Sequence, residues 1–169
     1  AEESYKQAIA LKPEYAEAQS NLGIILKELG KLKEAEESFR RAIALKPDYA
    51  EAHSNLGATL QELNKLDEAE ESFRRAIVLK PDYAEAYYNL GIALKELGKL
   101  KEAEESYKQA IALKPEYAEA YNNMGELLKQ PGRLDEALVS YNKAIEIKIN
   151  YSEAYSNRNF CLNYSSLWS

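Results

Sequence analysis

The sequence is poor in the residues that most often carry chemistry. Its 169 residues include one cysteine, one histidine, one methionine and one tryptophan. A lone Cys161 cannot close an internal disulfide, so a reducing compartment, the cytoplasm, is expected rather than secretion. His53 is the single imidazole and no Cys/His set has ligand spacing, so neither a metal site nor a cofactor is expected. No glycine-rich phosphate loop occurs. Lys and Arg number 22 against 28 Asp and Glu, a formal net charge of -6, with no basic block. Nucleic acid is thereby excluded as an expected partner, since phosphate binding needs clustered cations. No apolar run reaches the ~20 residues of a bilayer span, and no signal peptide opens the chain. An initiator methionine is missing too: the only Met is Met124. The opening AEESYKQAIALKPEY recurs letter for letter at Ala103–Tyr117, which is expected of a segment cut from a longer protein in mid-repeat.

What is present is repetition. Ala16–Tyr49, Ala50–Tyr83, Ala84–Tyr117 and Ala118–Tyr151 align without gaps at a period of 34. Each unit reads as two helices. Gly30, Asn64, Gly98 or Gly132 closes the first helix by accepting a left-handed conformation. Pro13, Pro47, Pro81 and Pro115 stop the second, because proline cannot continue the hydrogen-bond ladder. So short a turn forces antiparallel packing. Gly23, Gly57, Gly91 and Gly125 sit where the two helices should approach most closely. Ala35, Ala69, Ala103 and Ala137 keep the second helix thin, and Phe39, Phe73, Tyr107 and Tyr141 fill the adjacent space. Leu22, Leu56, Leu90 and Met124, with Leu26, Leu60, Leu94 and Leu128, make an i, i+4 apolar stripe. One hairpin cannot bury this surface alone, so the units must stack.

That period, with its Leu-Gly, Ala, aromatic and Pro slots, is the tetratricopeptide signature; the chain resembles the tetratricopeptide repeat (TPR) family over nearly its whole length. The resemblance implies an all-α, right-handed superhelical solenoid of antiparallel helix hairpins. Residues 1–15 would be the second helix of a truncated repeat, followed by repeats 16–49, 50–83, 84–117 and 118–151. Residues 152–169 would be a capping helix, to about 163, and a loose tail from Ser165. Two departures are expected in repeat four. Pro131 replaces Leu29, Leu63 and Leu97, so its first helix should end early. Ile149 replaces the stop proline, so its second helix should run on towards Asn150.

No catalytic residue is expected. His53 shares its slot with Gln19, Tyr87, Tyr121 and Tyr155 and reads as a packing or surface residue, and Cys161 reads as core filler. The Glu-Glu pairs of KEAEES and DEAEES recur in repeats 16–49, 50–83 and 84–117, which marks a solvated helix face. The binding surface is expected on the first helices, which line the concave face of such solenoids. There Asn21, Asn55, Asn89, Asn123 and Asn157 recur without exception. A carboxamide both donates and accepts, so a ladder of them could hold a peptide backbone whatever its side chains. The same asparagines could instead bond within or between hairpins. At ~0.5–1.5 kcal/mol per rung, against ~2–5 kcal/mol for ordering a peptide, binding would be weak and sequence-tolerant. A chaperone-tail clamp needs Lys and Arg on this face. The slots hold Ser20, Ser54, Tyr88, Asn122 and Ser156, then Ile24, Ala58, Ile92 and Glu126, so that role is not expected.

The unbroken Asn ladder and the closing SNRNFCLNYSS resemble the TPR arm of O-linked N-acetylglucosamine transferases and their SPINDLY-like relatives, with Phe160, Leu162, Asn163 and Tyr164 carrying the match. Arg158, standing in an apolar slot, departs from it. The resemblance implies a non-catalytic arm that recruits protein substrates as extended peptides. The alternative is a stand-alone scaffold for assembling complexes. A third reading has the terminal orphan helices, 1–12 and 152–163, completing one repeat between two molecules head to tail.

Overall fold

The structure, a computed structural model, describes residues 15–165, with side chains placed through residue 163. The orphan helix expected over 1–12, and Leu167 and Trp168, lie outside the described residues. Among the described residues there are nine α-helices and no strand. They are α1 (Ala16–Glu28), α2 (Leu32–Leu45), α3 (Ala50–Glu62), α4 (Leu66–Leu79), α5 (Ala84–Glu96), α6 (Leu100–Leu113), α7 (Ala118–Leu128), α8 (Leu134–Ile147) and α9 (Ser152–Ser165). Each odd helix packs against the even helix that follows it, each even helix against the next odd one, and α9 against α8. The result is a superhelical stack of antiparallel hairpins.

The turn inside each hairpin follows from its left-handed residue. Gly30, Asn64 and Gly98 have φ of 73°, 58° and 76°. In the first hairpin the Gly30 N–H donates to the Lys27 carbonyl at 2.9 Å and Lys31 N–H to Leu26 at 2.8 Å. That pair of bonds satisfies carbonyls that a helix end would otherwise leave open. Asn64/Lys65 and Gly98/Lys99 repeat it. In the fourth hairpin Pro131 occupies the position whose N–H, in Leu97, reaches Ala93 at 3.0 Å. Proline has no N–H to give. Accordingly α7 stops at Leu128, as expected, and is two residues shorter than α5 (11 against 13).

The expectation for Ile149 fails. Without the stop proline α8 still ends at Ile147, the register of Leu45, Leu79 and Leu113 in the other second helices. The turn is held by other groups. Tyr151 N–H donates to the Lys148 carbonyl at 3.0 Å. The Lys148 ammonium lies 4.7 Å from the Tyr151 ring centroid and 3.0 Å from a Glu119 carboxylate oxygen in the preceding first helix. Lys46 with Tyr49 and Glu17, and Lys80 with Tyr83 and Glu51, make the same trio. Proline reinforces a stop that every second helix shares with a lysine–tyrosine contact, Lys114 with Tyr117 included. At the other end α9 includes Ser165, so the helix runs past the expected 163.

The closest approach within each hairpin is where the glycines stand. A methyl group at Gly23, Gly57, Gly91 or Gly125 would lie 2.5–2.8 Å from the ring of Phe39, Phe73, Tyr107 or Tyr141. Those four rings are fully buried, as are Ala35, Ala69, Ala103 and Ala137. The leucine stripe and Met124 join them in one continuous core that reaches Cys161. First helices of successive hairpins also touch directly, α1 with α3, α3 with α5 and α5 with α7, and second helices make no comparable contact. The stack therefore curves with its first helices on the inside.

Candidate peptide-binding groove

The inner face carries the asparagine ladder. All five side chains are half-buried. Among the described residues, the carboxamides of Asn21, Asn55 and Asn89 make no hydrogen bond within the protein. Between these rungs the lining is small or apolar: Ile24, Ala58 and Ile92, the first of them exposed. A depression of about 330 Å³ beside Asn55 is walled by Ile24, Lys27, Phe39 and Glu62. The two lysines near this lining are neutralised, Lys27 by Glu62 at 3.0 Å and Lys95 by Glu126 at 2.6 Å.

The last two rungs are different. Asn123 Nδ2 donates to the Tyr88 hydroxyl at 3.2 Å, and Asn157 Nδ2 donates to Asn122 Oδ1 at 3.2 Å. Asn122 is fully buried and itself donates to Glu153 Oε1 at 3.2 Å. The structure thus separates a ladder that looked uniform into three open rungs and two that serve the fold. Tyr88 was not singled out by sequence reasoning. Its signal was the break in a slot otherwise held by Ser20, Ser54, Asn122 and Ser156. Its ring centroid lies 4.8 Å from that of Tyr117 and 6.2 Å from that of Tyr107. Burial, with the nearby Glu119 charge, raises its phenol pKa despite the Asn123 hydrogen bond.

The outer face shows why the repeats stay in register. Glu36, the first of a Glu-Glu pair, bonds Arg40 on its own helix and Lys65 of the next hairpin at 2.9 Å. Glu70 does so with Arg74 and Lys99, and Glu104 with Lys108 and Arg133. Their side chains are only 14%, 13% and 16% exposed, so this half of each pair is no solvated face. The second glutamate is exposed as expected. For Glu36 and Glu70 burial pushes the pKa up, and the paired cations outweigh it and hold it below the usual range. The Arg133 guanidinium, against burial and with help from Lys108, holds Glu104 at about 2. The spacing of 29 residues between each glutamate and its cation was visible in the sequence, but only a known helix stacking gives it meaning.

Two further grooves, of about 660 and 500 Å³, run between second helices on this outer face. His53 lines the first and Tyr87 the second. His53 is half-buried, its Nε2 is 3.1 Å from the Pro47 carbonyl oxygen, and burial lowers its pKa. It packs, as its slot suggested. Cys161 is fully buried against the core, and burial raises its thiol pKa although Lys129 opposes this. Arg158 lays its guanidinium 5.2 Å from the Tyr155 ring centroid, which is how a cation occupies a leucine slot. Among the described residues no group of three or more His, Cys, Asp or Glu is placed to hold a metal ion. No helix there is long and apolar enough to cross a membrane.

A curved stack of helix hairpins whose inner face presents side-chain amides defines a protein-interaction solenoid. The chain belongs to the tetratricopeptide repeat family: family models described as "TPR repeat" match residues 1–30, 25–64, 61–98 and 93–132, and one described as "Tetratricopeptide repeat" matches 118–151. No curated protein matches the chain. Among solved structures it is similar to MamA, at 30% identity, covering 90% of this chain and 89% of that one with a TM-score of 0.81. It is similar to YrrB, described as a TPR protein with an unusual peptide-binding site, at 25% identity over 98% and 86% of the two chains, TM-score 0.81. The first TPR of Spaghetti (RPAP3), solved bound to the HSP90 peptide SRMEEVD, is 27% identical over 66% of this chain and 89% of that one, TM-score 0.65.

Proposed function

We propose that this chain is a non-catalytic module that holds extended segments of other proteins on its inner face. The observation that carries this reading is the row of three carboxamides, Asn21, Asn55 and Asn89, half-buried and without partners of their own. Each can donate to one peptide carbonyl and accept from one N–H. Adjacent packed helices lie ~8–10 Å apart and an extended chain advances ~3.3–3.6 Å per residue, so each rung meets about every third peptide residue. Peptide binding by similar TPR proteins, YrrB and RPAP3, supports the reading. The bound segment here differs in kind from an acidic chaperone tail, because Lys27 and Lys95 are already paired with Glu62 and Glu126.

Main-chain recognition of this sort is weak and indifferent to sequence. Three rungs at ~0.5–1.5 kcal/mol each do no more than offset the ~2–5 kcal/mol of ordering a peptide. Such a groove suits a device that presents many substrates, as the TPR arm of an O-linked N-acetylglucosamine transferase does, and the closing Phe160, Leu162, Asn163 and Tyr164 favour that assignment over a scaffold for one assembly. Amide shifts recorded while titrating unstructured Ser/Thr-rich peptides test the groove. Shifts along α1, α3 and α5 that vanish in a folded Asn21→Ala/Asn55→Ala/Asn89→Ala variant are expected. Shifts that the variant keeps would assign the asparagines to the fold and favour the scaffold.

A further inference from the structure

We propose that Tyr88 ends the groove, so that the module reads a segment only as long as three rungs and holds Asn123 out of use. This rests on the groove reading above and adds a length and an end to it. The slot of Tyr88 faces the tyrosine of the next inter-repeat turn in every hairpin where the pairing is seen. Ser54 meets Tyr83, Tyr88 meets Tyr117 and Asn122 meets Tyr151. A serine fills this position without reaching the neighbouring rung. A tyrosine reaches it: the Tyr88 hydroxyl takes the hydrogen bond that Asn123 Nδ2 would otherwise give to a ligand. The ring is pinned on two further sides by Tyr107 and Tyr117. The turn also differs from its counterparts in one contact. Lys46, Lys80 and Lys148 each reach back to Glu17, Glu51 and Glu119. Lys114 keeps the ring contact of its counterparts, 4.6 Å from the centroid of the Tyr117 ring that packs on Tyr88, but among the described residues it makes no ion pair with Glu85, which is exposed. Past this point Asn122 and Asn157 are bonded to each other. The aromatic stop and the internal use of the last rungs coincide at one junction of the stack.

Three rungs span two helix-to-helix steps of ~8–10 Å, which an extended chain covers in about five or six residues. Five rungs would take about ten to twelve. The test is to measure Kd for Ser/Thr-rich peptides of increasing length by amide shifts. In the wild type, affinity should stop improving at about six or seven residues. Asn55→Ala should weaken binding several-fold and Asn123→Ala should leave it unchanged. Tyr88→Ser, which installs the residue of the first two repeats, should let affinity rise for about three residues more, and Asn123→Ala in that background should then weaken binding several-fold. Tyr88→Phe removes the hydroxyl but keeps the ring, so the length limit should persist and show that the ring is the stop. An Asn123→Ala effect in the wild type equal to that of Asn55→Ala would overturn the proposal. So would a length dependence that a folded Tyr88→Ser variant leaves as it was. If Asn55→Ala has no effect in any background, the groove reading itself has failed, and that outcome is distinct from either of these.

Discussion

The three hairpins over α1–α6 and the part of the stack over α7–α9 are built from the same repeat and differ in what holds them. In the first part the hairpin turns all carry the same two closing bonds, and the core slots are filled almost identically. In the second part Pro131 cannot make the bond of Leu97 to Ala93, Arg133 N–H turns to the Gln130 carbonyl in place of the two closing bonds, Ile149 removes the stop proline, and a leucine slot holds Arg158. The lost backbone order is offset by polar contacts: Arg133 bridging Glu104 and Glu136, and buried Asn122 linking Glu153 with Asn157. A repeat can thus lose local signals and keep its geometry, provided polar contacts with neighbouring repeats are kept. The α7–α9 part of the stack is where that exchange is visible.

The largest effects should come from the closest approaches. Gly57→Ala places a methyl 2.8 Å from the Phe73 ring, and Gly125→Ala places one 2.7 Å from Tyr141. Overpacking of this kind costs about 1–3 kcal/mol. Stability in a stack is a sum of repeat and interface terms, so the two sites should differ in how the loss appears. In urea titrations followed by circular dichroism, Gly57→Ala should lower a single transition. Gly125→Ala should open an early, partial one, with hydrogen exchange raised over α7–α9 only. Equal, single transitions in both would remove the distinction between the two parts.

A second contrast sets Asn122 against Asn55. The first is fully buried and bonded on both sides of its amide; the second is half-buried with no partner. Asn122→Ala should cost about 1–2 kcal/mol, the usual range for breaking buried hydrogen bonds, and should loosen α9. Asn55→Ala should stay within about 0.5 kcal/mol of the wild type. Thermal melts of both variants decide it; a stability loss in Asn55→Ala as large as in Asn122→Ala would make the open rungs structural.

Much of this was legible in the residues. The period, the left-handed turn positions, the glycine–aromatic contacts and the early end of α7 follow from spacing and from what glycine and proline can do. The end of α8 did not follow, because it depends on Lys148 meeting Tyr151 and Glu119, a contact between repeats. The site was half legible. Recurrence placed all five asparagines on one face, but it could not say which of them the fold had already taken. That depended on one substitution, Tyr88, whose reach across to Asn123 is a distance and not a pattern.

The ion pairs offer a pH test of the same contrast. Glu104 titrates at about 2 against an ordinary 4.5, chiefly through its hydrogen bond to Arg133. A depressed carboxylate pKa adds stability above pH 4.5 that is lost as the pH falls from 4.5 to about 2. Glu104→Gln should therefore lower stability at neutral pH by about 1 kcal/mol, a value discounted for solvent screening of its partners. The gap from the wild type should close by about pH 2, seen in urea midpoints across the range. A gap independent of pH would mean that the Glu104 side chain acts by packing alone.

The smallest effect expected is a gain. At Ile149 the backbone already follows the proline-bearing turns: Lys148 has φ -128° and ψ 88°, against -140° and 87° for Lys46, which precedes Pro47. Among the described residues the Ile149 N–H makes no backbone hydrogen bond that a proline would break. The residue is also exposed, so no core contact is lost. Ile149→Pro should then stabilise the chain by about 0.4–1 kcal/mol, acting on the unfolded state by removing conformations it would otherwise visit. The gain should appear in the α7–α9 transition and leave the earlier hairpins unchanged. A loss instead would mean that the turn at 149 tolerates isoleucine by a geometry that proline cannot share, and that the lysine–tyrosine contact is not the common cause of the stop.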